Sequence, residues 1–184
     1  MEVLTAANQL TILRVLLVPV FALCMLYDMP GWALLTFVVA GLTDLLDGLI
    51  ARHTGPTTLG AWLDPAADKL LLTTMFVMLT LPGPGVVRLP LWLTVVVISR
   101  DVGIILAVAI VNLAVAKRTY KPSLLGKATT VAYIATGVVA LYSNYMRERI
   151  VLVDVGIYVS LALTLVSTFE YMLRFIRTPP SSGS

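Results

Sequence analysis

Four aspartates stand in two closely spaced pairs within a mostly apolar stretch of sequence. They are Asp44 with Asp47 and Asp64 with Asp68. Spacings of three and four residues place each pair on one face of an α-helix. Four unscreened negative charges would repel one another, so either several are protonated or cations neutralise them. Carboxylates without histidine or thiolate partners favour hard ions such as Mg²⁺ or Mn²⁺, and two such ions can clamp a transferring phosphoryl group.

Two glycines and an arginine accompany the aspartates. Gly48 directly follows Asp47, and Gly60 lies one helical turn before Asp64. A glycine inside a helix costs about 1 kcal/mol relative to alanine, but its missing side chain would let a bulky ligand approach the backbone. Arg52 could pair with a diphosphate through its planar fork.

The composition predicts a membrane protein. Of the 184 residues, 59% are hydrophobic and only 12% are charged, far from the balance of a soluble domain. A spanning helix needs roughly 20 apolar residues, so a chain of this length can hold about six. The net charge is +3, and the basic residues of the sequence lie at the ends of the predicted helices. That placement suits anionic lipid head groups in a bilayer, and we expect no nucleic-acid partner.

Proline, glycine and charged residues divide the apolar sequence into segments. We predict an all-α integral membrane protein with six transmembrane helices and a single membrane domain over residues 1–184, of which 179–184 form a disordered tail. The predicted spans are 7–28, 31–53, 59–81, 89–116, 122–145 and 150–176. A short turn between the second and third spans would bring the four carboxylates together in one hairpin.

The distribution of basic residues predicts the orientation of these spans. If the connections alternate across the membrane, the N-terminus, the loop after Arg52, the loop 117–121 and the C-terminus share one face. Lysine and arginine are more frequent at that face, so it is expected to be cytoplasmic. The prediction is a multi-pass protein whose polar cavity opens to the cytoplasm, as in a bacterial inner membrane.

The run DLLDGLIAR at 44–52, with the acidic positions after it, resembles the signature of the CDP-alcohol phosphatidyltransferases. The eight matching positions are Asp44, Asp47, Gly48, Ala51, Arg52, Gly60, Asp64 and Asp68. The pattern spans 25 residues, and its fixed spacing makes it specific. The resemblance implies a membrane enzyme, expected as a homodimer, that transfers a phosphatidyl group from CDP-diacylglycerol to an alcohol and releases CMP.

The same resemblance implies roles for the signature residues. The four aspartates would hold two metal ions, Mg²⁺ or Mn²⁺, and Asp68 would also accept the proton of the attacking hydroxyl. The CDP moiety would be accommodated by Gly48, Ala51, Arg52 and Gly60.

Three basic residues are candidates for binding the acceptor. Arg100 and Asp101 lie halfway along the fourth span, so they should face a protein cavity and could pair there. A structural ion pair and an acceptor pocket both remain open for Arg100. For Lys127, a lysine that reaches the membrane interface is the alternative. The segments 8–14, ISRD, LGKATT and Glu170-Tyr171 look like those of phosphatidylglycerophosphate synthases and cardiolipin synthases.

That likeness implies that Arg100 and Lys127, with Arg118, bind the phosphate of glycerol 3-phosphate. Asp101 stands where many phosphatidylglycerophosphate synthases carry glutamate. The alternative acceptor is phosphatidylglycerol, which is the acceptor of a cardiolipin synthase.

Two other functions fit part of the pattern. A membrane prenyltransferase also presents aspartates to Mg²⁺ and diphosphate, but that family is longer and lacks these glycines. A cation carrier could use the four aspartates as ion sites, with Arg100 and Asp101 as a gate. The carrier leaves Gly48, Arg52 and Gly60 unexplained.

Overall fold

The computed structural model describes the backbone of residues 6–54, 60–83, 85–114 and 123–177. Within these helices the description excludes the side chains at 6–8, 45, 47–54, 60–62, 107–114 and 174–177. The helices are α1 (Ala6–Leu26), α2 (Pro30–Thr54), α3 (Gly60–Thr80), α4 (Leu91–Ala114), α5 (Leu124–Tyr145) and α6 (Val151–Arg177).

The all-α prediction is confirmed by these six helices. Each predicted boundary that falls on a described residue lies within two residues of an observed helix end. The predicted boundaries at 59, 116 and 122, and the predicted tail 179–184, lie outside the described residues.

Three of the helices are long and apolar enough to cross a membrane, judged over the described residues. These are α1, α5 and α6, with spans Gln9–Leu26, Leu124–Tyr145 and Val151–Leu173. The apolar part of α2 is shorter, Pro30–Asp44. In α3, Asp64, Asp68 and Lys69 place three charged residues in the first half of the helix. These charges weaken its apolar signal.

The chain divides into two compact units. The first unit comprises Met1–Leu89 with Gly137–Val153, and the second comprises Pro90–Thr136 with Asp154–Ser184. Helices α1, α2 and α3 therefore belong to the first unit, and α4 belongs to the second. A single membrane domain over 1–184 stays a prediction.

In the first unit, α1 packs against both α2 and α3. Phe21 of α1 and Phe37 of α2 are buried, with ring centroids 5.8 Å apart. In α3, Leu71 and Met75 are buried one turn apart. A Cβ on Gly137 of α5 would lie only 2.1 Å from the Met75 sulfur, so the absence of a side chain there allows the close approach.

Two polar contacts connect the loops of the first unit. Asp28 follows α1 and Arg147 follows α5, each with a positive φ, 55° and 57°. Their side chains form an ion pair of 2.8 Å. The Asn144 side chain accepts a hydrogen bond from the backbone N of Val87 at 2.7 Å and donates to its carbonyl at 3.1 Å. These contacts fix the end of the unit that lies away from the N-terminal half of α1.

In the second unit, hydroxyl groups link α5 to α6. The hydroxyl oxygens of Thr136 and Ser160 are 2.9 Å apart, and those of Tyr133 and Thr164 are 2.5 Å apart. A Cβ on Gly156 would be 2.7 Å from the Thr136 oxygen, so glycine allows the two helices to approach closely. Small residues and paired hydroxyls of this kind are typical of helices that pack inside a membrane.

Candidate functional site

One arginine of α1 connects two of the predicted aspartates. The side chain of Arg14 is 0% exposed, and its Nη2 lies 3.1 Å from Oδ1 of Asp44 in α2. Its Nη1 donates to Oδ1 of Asp68 in α3. A single guanidinium therefore brings together carboxylates that are 24 residues apart in sequence and lie on different helices.

A threonine one turn earlier contacts a third aspartate. Thr11 is fully buried, and its hydroxyl donates to Oδ1 of Asp64. Because Thr11 and Arg14 are three residues apart, both project from the same face of α1. That face thus contacts both predicted aspartates of α3 and one of α2.

The apolar pattern of each helix explains why the aspartates lie where they do. In α2, Asp44 follows the buried Phe37 and Ala40 at helical spacing. In α3, Asp68 precedes the buried Leu71 by three residues and Met75 by seven. The faces that carry the carboxylates are therefore the same faces that pack inside the unit.

Asp44 and Asp68 remain partly exposed although both pair with Arg14. Their side chains are 43% and 41% exposed. Within the described part of the chain, no three histidine, cysteine or acidic side chains are close enough to share one metal ion. The atoms available to bind a metal ion are nevertheless carboxylate oxygens, and those of Asp44 and Asp68 share the single positive charge of Arg14. This chemistry fits a hard divalent cation.

Several other predicted residues lie partly or wholly outside the description. Asp47, Gly48, Ala51 and Arg52 are in α2, and Gly60 begins α3, but the structure describes none of their side-chain environments. Arg118 lies outside the described residues altogether.

In the second unit, Arg100 is nearly buried within α4. Its side chain is 7% exposed, and its Nη1 donates to Asp101 Oδ1 at 3.0 Å. The pairing of these two residues is therefore observed. The buried Nε of Arg100 has no hydrogen-bond partner among the described residues. Its Nη2 lies 3.5 Å from the position that a Cβ on Gly126 would occupy.

Polar groups from three helices meet around Gly126, near the beginning of α5. The Ser123 hydroxyl accepts a hydrogen bond from Gly126 N at 2.9 Å, which caps the helix. The Tyr171 hydroxyl of α6 accepts a longer bond from Ser123 N, 3.4 Å. Lys127 follows Gly126 and is exposed. The N-terminal end of α5 therefore presents its positive dipole end next to Arg100 and Lys127.

Four residues of these contacts had no predicted role: Arg14, Thr11, Ser123 and Tyr171. A signal for the first two was available. Arg14 is a charge in the middle of an otherwise apolar span, and Thr11 lies one turn away on the same face. The contact between Ser123 and Tyr171 depends on how α5 and α6 pack, although Glu170-Tyr171 was already part of the likeness to the related synthases.

Comparison with known proteins identifies the family. The model of the CDP-alcohol phosphatidyltransferase family matches residues 4–166. The chain belongs to the CDP-alcohol phosphatidyltransferases. The resemblance drawn from the 44–68 signature is thereby confirmed. As a member of this family, the chain is a phosphatidyltransferase of phospholipid biosynthesis and a membrane protein. Members of the family generally use divalent metal ions.

Relatives with two different names are similar to this chain. A probable phosphatidylglycerophosphate synthase of Mycobacterium tuberculosis is 34% identical over 183 residues, covering 93% of this chain and 81% of the relative. The CDP-diacylglycerol–glycerol-3-phosphate 3-phosphatidyltransferase of Bacillus subtilis is 30% identical, covering 91% and 93%. The human cardiolipin synthase (CMP-forming) is 42% identical over 106 residues, covering 56% of this chain and 34% of the relative.

Proposed function

We propose that this phosphatidyltransferase uses CDP-diacylglycerol as donor and glycerol 3-phosphate as acceptor, forming phosphatidylglycerophosphate and CMP. The observation that carries the proposal is the contact of Arg14 with both Asp44 and Asp68. It gathers carboxylates from both halves of the family signature at one place in the first unit. Such a cluster of carboxylates can bind a negatively charged diphosphate only if cations neutralise the carboxylates and the diphosphate.

The four signature aspartates, Asp44, Asp47, Asp64 and Asp68, would hold two divalent ions, Mg²⁺ or Mn²⁺. Such ions neutralise the diphosphate and the charge that develops during phosphoryl transfer. The oxygen-only donor set supports this assignment.

The chain's own residues then supply positioning and proton transfer. Asp68 accepts the proton of the acceptor hydroxyl, whose oxygen attacks the phosphorus on the lipid side of the diphosphate. The bond from that phosphorus to the CMP oxygen breaks, and CMP leaves. Direct transfer is preferred because the sequence offers no motif for a nucleophilic serine, cysteine or histidine.

The donor nucleotide is assigned to the remaining signature positions. Gly48 and Gly60 would leave room for the CDP moiety beside the helix backbones, with Ala51 as a further small residue. Arg52 would pair with the diphosphate through its guanidinium. These positions follow the family signature that the chain carries.

The acceptor phosphate is assigned to Arg100, Lys127 and Arg118. Arg100 supports this because it is nearly buried and its Nε has no hydrogen-bond partner among the described residues. Arg100 also lies beside Gly126 at the N-terminal end of α5, and an N-terminal helix end attracts anions. Lys127 adds an exposed positive charge at the same helix end.

A cardiolipin synthase, with phosphatidylglycerol as acceptor, is the second candidate. The 42% identity to the human cardiolipin synthase favours it, but that likeness covers 56% of this chain. The Mycobacterium and Bacillus relatives named for phosphatidylglycerophosphate synthesis match over more than nine-tenths of the chain. Glycerol 3-phosphate is therefore preferred.

The proposed setting is one membrane domain with six transmembrane helices, assembled as a homodimer in a bacterial inner membrane. Its polar cavity would open to the cytoplasm, where the water-soluble acceptor enters and CMP departs. The diacyl chains would stay within the bilayer. The basic residues near one set of helix ends support this orientation.

The test is an acceptor comparison with purified protein in detergent. Labelled CDP-diacylglycerol and Mg²⁺ or Mn²⁺ are incubated with glycerol 3-phosphate, phosphatidylglycerol, inositol phosphate or serine. We expect CMP release and phosphatidylglycerophosphate in equal amounts with glycerol 3-phosphate, and no release in EDTA. Release only with phosphatidylglycerol would favour the cardiolipin synthase. If no acceptor gives metal-dependent CMP release, the proposed reaction is wrong.

A further inference from the structure

Among the described residues, Arg14 is the only charged residue that is fully buried. A buried charge is costly unless its hydrogen bonds are satisfied by opposite charges. Asp44 and Asp68, which both belong to the family signature, offset this cost by pairing with the two terminal nitrogens of Arg14. The helix that carries it, α1, contains none of the signature aspartates.

The geometry separates the roles of the arginine and the carboxylates. Each terminal nitrogen of Arg14 binds a carboxylate on a different helix, so the planar fork fixes the two carboxylates relative to each other. The side chain of Arg14 is fully buried, while those of both aspartates are partly exposed. The same face of α1 holds Asp64 through Thr11.

We propose that Arg14 is a positioning residue, which holds Asp44 and Asp68 at the separation that the divalent ions require, with Thr11 holding Asp64 in the same way. The inference rests on the metal site of the proposed function. Arg14 itself touches neither substrate in this account. It acts through its contacts with the two carboxylates, by limiting their rotation and offsetting their mutual repulsion.

Two possible roles of Arg14, charge neutralisation and positioning, can be separated by experiment. If its job were only to neutralise charge, a lysine would serve equally well. If its job is to fix two carboxylates with one planar group, the single ammonium of lysine cannot replace it. Loss of partners that orient metal ligands typically weakens metal affinity by about 10–100-fold.

The experiment measures Mn²⁺ binding to the purified full chain in detergent, by electron paramagnetic resonance of the free ion, without lipid substrate. Arg14→Lys should weaken Mn²⁺ binding by about 10–100-fold. Thr11→Val removes one hydroxyl with little change in shape, and should weaken binding less.

Two matched controls accompany these variants. Thr36→Val removes another buried threonine hydroxyl, which bonds only to Trp32 O of its own helix in the described contacts, at 2.7 Å. Arg147→Lys changes an arginine whose ion pair with Asp28 is exposed. Both controls should bind Mn²⁺ as the wild type does.

The outcomes distinguish this inference from the proposed function. If the wild-type chain binds no Mn²⁺, the proposed metal site itself fails. If the wild type binds Mn²⁺ and Arg14→Lys binds it equally well, the positioning role is overturned and charge neutralisation suffices. Size-exclusion chromatography reports whether each variant folds. Should Arg14→Lys not fold, Thr11→Val decides, and wild-type affinity in that variant overturns the inference.

Discussion

Among the side chains that the structure describes, each unit contains one nearly or fully buried arginine, and the two arginines are used differently. Arg14 in the first unit pairs with aspartates on two other helices. Arg100 in the second unit pairs with its own sequence neighbour, Asp101. An arginine whose partners lie on other helices fixes parts of the protein to one another. An arginine paired with its sequence neighbour joins no helices to each other, and beside the N-terminal end of α5 it is placed to bind an anion.

This difference suggests a division of labour. The first unit would hold the metal ions and the diphosphate of the donor, whereas the second would recognise the phosphate of the acceptor. Variants in the two units should therefore affect different kinetic constants. Three variants test this division, and the size of the expected effect falls from one to the next.

The largest effect is expected from Asp68→Asn. Loss of a general base typically costs about 10²–10⁴-fold in rate, and loss of a metal ligand adds to it. CMP release should therefore become nearly undetectable, while the elution volume in detergent stays unchanged. Asp28→Asn is the control, because Asp28 is an exposed carboxylate in a loop contact with Arg147. Retained turnover in folded Asp68→Asn would refute its role as the base.

A smaller and more selective effect is expected from Arg100→Gln. Hydrogen bonds to charged groups contribute about 1.5–3 kcal/mol, so the KM for glycerol 3-phosphate should rise by roughly 10–150-fold. The KM for CDP-diacylglycerol and the affinity for Mn²⁺ should stay unchanged. Arg88→Gln serves as control, since the exposed Arg88 donates to the carbonyl of Gly83. An equal rise in both KM values would break the division between the units.

The smallest effect is expected from Gly126→Ala. The new Cβ would lie 3.1 Å from the Tyr171 hydroxyl and 3.2 Å from the Ser123 hydroxyl, so both must shift slightly. The KM for glycerol 3-phosphate should rise, but less than in Arg100→Gln. Gly103→Ala is the control, because a Cβ there meets nothing within 4 Å. An equal rise in the KM for glycerol 3-phosphate in Gly103→Ala would mean that the effect is not specific to Gly126.

Most of the helical architecture was predictable from sequence. Proline, glycine and charged clusters interrupt the apolar segments clearly, so the predicted boundaries that fall on described residues lie within two residues of the observed helix ends. The number of spanning helices was harder to judge. The charged residues Asp64, Asp68 and Lys69 reduce the hydropathy of α3, and only α1, α5 and α6 are apolar and long enough over the described residues.

The candidate site was predictable only in part, for a physical reason. Spacing along one helix places Asp64 and Asp68 on one face, and the pairing of Arg100 with Asp101 involves neighbours in sequence. The contacts of Thr11 with Asp64 and of Arg14 with Asp44 join residues 53 and 30 positions apart. Such contacts depend on how helices pack, which helical periodicity does not determine.

The most direct test of the account is the number of Mn²⁺ ions that the purified chain binds. Electron paramagnetic resonance of free Mn²⁺ should show two ions per wild-type chain, and Asp44→Asn should lose or greatly weaken at least one of them. The exposed-loop variant Asp28→Asn should keep both. Absence of binding in the wild type, or unchanged binding in Asp44→Asn, would contradict the metal site on which the proposed reaction depends.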